Sequence, residues 1–363
     1  MSSSALTDLD LARLVPLGWH DRLTAAFAPY ASAGGRPGRV TRPGRGGHLV
    51  AVGGDATVLA VPSSALIKSA IDDTALPTVG DWVVWRGGGD QPTVIEAVLP
   101  RSSAFIRHAG ATDTRAQVLA ANVDVLLIAV ALGMTPNLRR IERFLTLGWE
   151  SGAQPVVVLT KADLCDDIDA ELRDVEAAAP GVAVHAMSAV TGEGIDALDV
   201  YLDGRSTLAL IGASGVGKST LVNRITGASM VTSEIRDDGK GRHTTTHREL
   251  IPLARGGVLI DTPGLRGVQL WDAEEGLERA FADVESLVAQ CRFPDCGHDT
   301  EPGCAVTAAI EVGALPARRL DSYQRLQREL VYLESRQDAR ARSEARKRWR
   351  AVAKAQRAHR PRP

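Results

Sequence analysis

The chain holds 363 residues, 44% hydrophobic and 24% charged, with a formal net charge of -2. That length predicts two or three domains, since single domains usually run to about 100–200 residues. The longest apolar run, "VDVLLIAVAL", is broken by Asp124 and falls short of the ~20 residues a bilayer span needs, so no transmembrane helix is expected.

The N-terminus, "MSSSALTDLDLARL", lacks the basic flank, apolar stretch and small-residue cleavage site of a secretory signal. A cytoplasmic location with reduced thiols is therefore expected. Charge is uneven: residues 336–363 carry eleven Lys or Arg against Asp338 and Glu344, a local +9 that leaves -11 on the rest.

Residues 1–35 form an N-terminal extension of one or two short helices and the loop "YASAGGRPGR". Over residues 36–105 short β-rich runs ("RVTR", "HLVAV", "ATVLAV", "GDWVVW", "PTVIEAVL") alternate with Gly, Asp and Pro turn signals, which fits a small closed barrel of the oligonucleotide/oligosaccharide-binding (OB) kind. Its candidate RNA contacts are Arg39, Arg42, Arg45, Trp82 and Trp85, although the strand alternation puts the two tryptophans on opposite faces and core is the better reading for either. "PRSSAFIRHAG" reads as a linker. Residues 115–270 then alternate strands and helices, the pattern of a doubly wound parallel α/β sheet. A helical, Cys-containing segment at 271–335 and the basic tail at 336–363 complete a multi-domain chain.

Four motifs in the α/β segment carry chemistry. "GASGVGKST", from Gly212 through Ala213, Ser214, Gly215, Val216, Gly217, Lys218 and Ser219 to Thr220, follows a predicted strand and opens a predicted helix. That context makes G-x-x-x-x-G-K-S a phosphate loop: glycines let backbone N–H groups turn inward, Lys218 reaches the β- and γ-phosphates, and Ser219 ligates Mg²⁺. "LIDTPGL" places Asp261 at a strand end, as a water-mediated Mg²⁺ holder, and Gly264 where its N–H meets a γ-phosphate. Between them "DDGKGRHTTTHREL" offers Thr244, Thr245 and Thr246 as first-switch candidates for Mg²⁺, with Thr245 favoured.

"VVVLTKADL" supplies the base reader. The Asp163 carboxylate suits the N1–H and exocyclic amine of guanine, where adenine presents an acceptor and no amine. Lys161 lies along the base, Ala162 separates the two, and Thr160 stands where Asn is usual. "HAMSAVTGEGI" adds a Ser188-Ala189 loop whose Ala189 N–H would meet the guanine carbonyl.

The order is base reader, Ser-Ala loop, phosphate loop, first switch, second switch, so the domain is a circularly permuted GTPase. Permutation is tolerated because domain termini lie close together at the surface. The new cut falls directly after the second switch. Beyond it "CRFPDCGHDTEPGC" gives C-x4-C-x-H-x5-C, and Cys291, Cys296, His298 and Cys304 make a four-ligand set for one structural Zn²⁺. Cys165 is taken as an ordinary small residue. The tail, with Trp349 among its arginines, suits rRNA phosphates and base stacking.

From about Arg36 to Arg350 the chain resembles the ribosome small-subunit-dependent GTPases of the RsgA (YjeQ) family, through "TKAD", "GASGVGKST", "GRHTTTHREL", "DTPG" and "CRFPDCGHDTEPGCAV" in that order. The resemblance implies an OB domain, a permuted GTPase binding GTP and GDP, a zinc domain, and hydrolysis stimulated by the 30S subunit during its late maturation. It also implies 16S rRNA as partner, with no membrane association and a monomer expected. Leu265 follows "DTPG" where many GTPases have a water-orienting Gln, so slow intrinsic hydrolysis is expected, with His243 or His247 as water-orienting candidates. The rival readings are a P-loop ATPase or kinase, which Asp163 opposes, and a non-catalytic RNA-binding scaffold with structural nucleotide.

Overall fold

The computed structural model describes residues 11–44, 46–88, 91–108, 116–133, 135–227, 248–261, 273–333 and 335. The chain divides into two compact units, Met1–Gln269 and Leu270–Pro363.

In the first unit α1 (Asp21–Ala31) precedes β1 (Arg36–Arg42), β2 (His48–Gly53), β3 (Ala56–Pro62), β4 (Trp82–Gly88) and β5 (Gln91–Val98). These five strands close a barrel in the order β1-β2-β3-β5-β4, and the β1–β4 pairing removes the edge an open sheet would expose. Val40, Val50, Ala60, Val83, Trp85 and Ile95 fill its interior. Trp82 lies on the other face of β4 yet is only 1% exposed. The N-terminal segment covers that face: the Trp19 ring meets Trp82 edge-on at 5.0 Å and Phe27 at 6.0 Å, with Leu14, Leu17 and Leu23 also buried. Both tryptophans are thus core, in two different layers.

The segment read as a linker contains a strand. β6 (Ala104–His108) pairs antiparallel with β7 (Ala116–Ala121), bringing Phe105 and Val118 into the interior. Next, β8 (Val125–Ala131), β9 (Gln154–Thr160), β10 (Val184–Ala186), β11 (Thr207–Gly212), β12 (Glu249–Pro252) and β13 (Val258–Asp261) form a sheet in the order β10-β9-β8-β11-β13-β12. All neighbours are parallel except β12, which pairs antiparallel with β13. The near-continuous apolar runs of β8, β9 and β11 are what burial on both faces requires. α2 (Leu138–Ser151) connects β8 to β9; the Asn137 side chain caps its first turn, and Gly152, in the left-handed region, ends it. α3 (Ile168–Glu176) follows β9, capped by Asp167, and α4 (Lys218–Thr226) follows β11. Between β10 and β11 the chain forms a 3-10 helix over Ile195–Tyr201.

Barrel and sheet are joined by buried polar groups, and here one expectation is corrected. Arg39, a candidate RNA contact, is 1% exposed. Its guanidinium donates to the carbonyls of Leu17, Gly80 and Asn122 and to the Thr207 hydroxyl, and lies 5.1 Å over the Trp82 ring. Burial lowers its pKa to about 10 against the opposing fields of Asp124 and Asp81, which leaves it cationic at neutral pH. Beside it, Arg101 pairs both nitrogens of its fork with the buried Asp81 carboxylate at 2.7 Å. Gly80, with φ 87, passes so near β7 that a Cβ there would stand 2.1 Å from the Ala121 carbonyl oxygen. By contrast Arg42 stays half exposed, 3.9 Å from Glu249, and Arg45 lies outside the described residues.

The second unit contains α5 (Glu274–Ala280), α6 (Ala282–Val288), α7 (Ala305–Glu311) and a helix over 317–333. Its centre is Arg319, fully buried, stacked 4.2 Å over Phe281 and paired with Asp283 at 2.6 Å. The basic tail with Trp349 lies outside the described residues.

Candidate functional site

In the first unit the chain runs β8, β9, β10 toward one side of the sheet and then places β11 on the other side of β8. Such a reversal opens a crevice at the carboxyl ends of the strands. Gly212 faces Ala129 and Thr160 faces Ala131 across β8, so the β11 and β9 loops leave from one edge; Asp261, half-buried, ends β13 at that edge as well.

Gly212 closes β11 and Ala213 to Gly217 form the turn. Gly215 and Gly217 have φ 79 and 88, conformations that a Cβ disfavours. Val216 is buried in the core beneath the turn, while Ser214 and Gly215 are exposed. Lys218, Ser219 and Thr220 make the first turn of α4, with Ser219 exposed. The Lys218 ammonium reaches back over the loop to the carbonyls of Gly212, at 3.0 Å, and Ala213. Ammonium, inward-curving backbone and helix N-terminus together form an anion cradle.

Thr160 ends β9, Lys161 adopts a left-handed conformation (φ 60, ψ 40), and Ala162–Leu164 form a 3-10 turn that leaves the Asp163 carboxylate exposed. The two loops touch. The Thr160 hydroxyl lies 2.5 Å from the Val216 carbonyl and 3.2 Å from that of Val130, and a Cβ on Gly217 would stand 3.9 Å from Lys161 Cε. The Ala162 N–H donates to the Met187 carbonyl at 3.2 Å, fastening this turn to the Ser-Ala loop. There Ser188 is fully buried and its hydroxyl accepts the Thr191 N–H at 3.1 Å, so its part is to shape the loop, with Ala189 half-buried beside it. No local pattern announces the Thr160–Val216 contact, because it joins positions 56 residues apart. The first-switch candidates His243, Thr244, Thr245, Thr246 and His247, together with Gly264 and Leu265, lie outside the described residues.

In the second unit one ligand atom each from Cys291, Cys296, His298 and Cys304 lies within 4.8 Å of all the others. Cys291 Sγ is 3.9 Å from Cys304 Sγ, and both are 3.6 Å from His298 Nδ1. Two thiolates at ~2.3 Å from a tetrahedral Zn²⁺ sit about 3.8 Å apart, so the donor set and its spacing fit that ion. Burial by itself would raise the Cys304 thiol, yet hydrogen bonds from Thr307, with His298 and Cys296, hold it down to about 6, toward the thiolate that metal binding needs. Glu301, absent from the sequence reading, accepts the N–H groups of Gly297 and Asp299 on either side of His298 at 2.8 and 2.9 Å. These bonds keep its carboxyl below the usual range and fix the left-handed turn that presents the imidazole.

A cavity of about 270 Å³ lies at the amino ends of β8 and β11, lined by Arg39, Trp82, Asn122, Asp124, Arg205 and Thr207 among others, away from the loop edge just described.

A closed five-stranded barrel, followed by a parallel sheet whose TKAD turn precedes its phosphate loop in sequence but adjoins it in space, defines a circularly permuted GTPase with an N-terminal barrel. Residues 98–271 match the family model described as RsgA GTPase. The chain is 50% identical over 342 residues to the small ribosomal subunit biogenesis GTPase RsgA of Streptomyces avermitilis, covering 93% of this chain and 90% of that protein. The Opitutus terrae protein of the same description is 43% identical, with 95% and 97% covered. YjeQ from Thermotoga maritima superimposes with a TM-score of 0.61 at 30% identity, over 82% of this chain and 99% of that one; YloQ, described as a circularly permuted GTPase, gives 0.58 at 26% identity, over 82% and 95%. The chain belongs to the RsgA GTPase family.

Proposed function

We propose that this protein hydrolyses GTP while assisting late assembly of the small ribosomal subunit, binding the 30S particle and its 16S rRNA in the cytoplasm as a monomer. The observation that carries the reading is the contact between the TKAD turn and the phosphate loop, Thr160 against Val216, which supports a purine reader and an anion cradle serving one ligand. Asp163 accepts the guanine N1–H and amine, and the Ala189 N–H meets the carbonyl. Loop N–H groups and Lys218 take the phosphates, Lys218 exchanging its own loop carbonyls for phosphate oxygens. Ser219, Asp261 and Thr245 are the residues to hold Mg²⁺, which when bound neutralises charge developing on the phosphates. His243 or His247 orients water and Gly264 meets the γ-phosphate. Cys291, Cys296, His298 and Cys304 hold one structural Zn²⁺.

Among the described residues no helix is long and apolar enough to cross a membrane. The half-exposed Arg42 and the tail arginines supply phosphate contacts. The deciding experiment is GTP turnover with and without 30S particles. Stimulation is expected; turnover indifferent to 30S defeats the ribosomal reading, and equal use of ATP defeats the assignment of Asp163.

A further inference from the structure

We propose that Thr160 reads no atom of the base and is instead a positioning residue, tying the base-reading turn to the phosphate loop and leaving guanine N7 outside its reach. The inference rests on the nucleotide site proposed above.

A threonine hydroxyl carries one proton. Both polar neighbours of Thr160 Oγ1 are carbonyl oxygens, Val216 at 2.5 Å and Val130 at 3.2 Å. A carbonyl cannot donate, so the proton must go to one of the two, and the shorter contact takes it. Thr160 is also 2% exposed, whereas Asp163, three residues on, is exposed. The guanine edge offers donors at N1 and the amine, and acceptors at O6 and N7. Asp163 suits the donors and the Ala189 N–H suits O6. N7 requires a donor, and Thr160 has none left to give.

What the hydroxyl does hold is the phosphate loop. Val216 is anchored in the core by its side chain and at this edge by its carbonyl, and the next residue, Gly217, lies close enough that a Cβ on it would stand 3.8 Å from the Thr160 hydroxyl. A ligand that bridges both halves of the site therefore gains from loops already in register, and one that touches only the base does not.

The test measures binding of GDP, 7-deaza-GDP and guanosine to the full-length protein, its Thr160→Val form, which keeps the β-branched shape, and its Thr160→Ser form, which keeps the hydroxyl. GDP and 7-deaza-GDP should bind alike, within about twofold, in all three proteins. Thr160→Val should weaken both about tenfold, the scale of one lost buried hydrogen bond, while guanosine binding is unchanged and Thr160→Ser restores the wild-type values. A preference for GDP over 7-deaza-GDP that disappears in Thr160→Val overturns the proposal, since Thr160 would then be reading N7. Unaltered GDP affinity in Thr160→Val, or guanosine weakened as much as GDP, overturns the tie. Wild-type protein that binds none of the three removes the nucleotide site itself, a different failure.

Discussion

Replacing Arg39 by Met tests the junction between barrel and sheet most directly. Met keeps an unbranched stem but ends short of the guanidinium and carries none of its five N–H donors, so the carbonyls of Leu17 and Asn122 are stranded, while the Gly80 carbonyl, which still accepts from the Asn122 side-chain amide, and the Thr207 hydroxyl each lose one partner. Each stranded buried carbonyl costs about 1–3 kcal/mol. The adjoining cavity, which Asn122 helps to line, admits water there, so the low end applies and the two together come to ~2 kcal/mol. Loss of the cation stacked on Trp82 adds about 1 kcal/mol, and release of a buried charge from its desolvation returns a similar amount. The net expectation is a loss of ~2 kcal/mol in urea unfolding followed by tryptophan fluorescence, to which Trp19 and Trp82 contribute. Arg39→Lys, which keeps charge without the planar fork, should fall between. A loss below about 1 kcal/mol for the Met variant would show that this guanidinium does not hold the two parts together.

Three further outcomes are expected. Lys218→Ala should fold as the wild type does and lose GTP turnover by at least ~100-fold, because its ammonium lies on the phosphate loop; retained turnover would relocate the site. Metal analysis of carefully purified protein should give one equivalent of zinc, and a strong chelator or Cys291→Ser should make the segment around 291–304 protease-sensitive while GTP binding persists; resistance in the metal-free protein would mean the cysteines are not ligands. Gly80→Ala should cost about 2–4 kcal/mol, since both its positive φ and the Ala121 carbonyl oppose a methyl group; a loss under ~1 kcal/mol in urea unfolding would show that the loop can yield.

The parts legible in the sequence are those governed by short-range rules. Alternation and turn residues in "HLVAV", "ATVLAV" and "GDWVVW" predict β2, β3 and β4, and continuous apolar runs predict β8, β9 and β11. The loops after β9 and β11 were placeable because each follows a buried strand and opens a helical turn. What stayed hidden depends on partners remote in the chain. Arg39 looks like a surface cation until Leu17, Asn122 and Thr207 close around it, and no local pattern announces that. The composition of "PRSSAFIRHAG" reads as linker, and only the pairing of β6 with β7 makes it a strand. β12, at four residues, is too short for an alternation to show, and its pairing with β13 is what marks it as a strand. Glu301 had no visible role before the turn that folds it over His298 was known.

The N-terminal segment has a consequence for the timing of synthesis. Its Pro16 carbonyl accepts from Gly257, and Leu17 shares the Arg39 guanidinium with Thr207. These partners leave the translating ribosome long after the segment itself, on the order of tens of seconds later at ~5–20 residues per second. The earliest residues made must therefore wait for some of the later ones before they can settle, and Trp82 stays incompletely locked meanwhile. Nascent chains arrested before residue 207 should be cut by protease within residues 14–39, and chains arrested well beyond 257 should be resistant there.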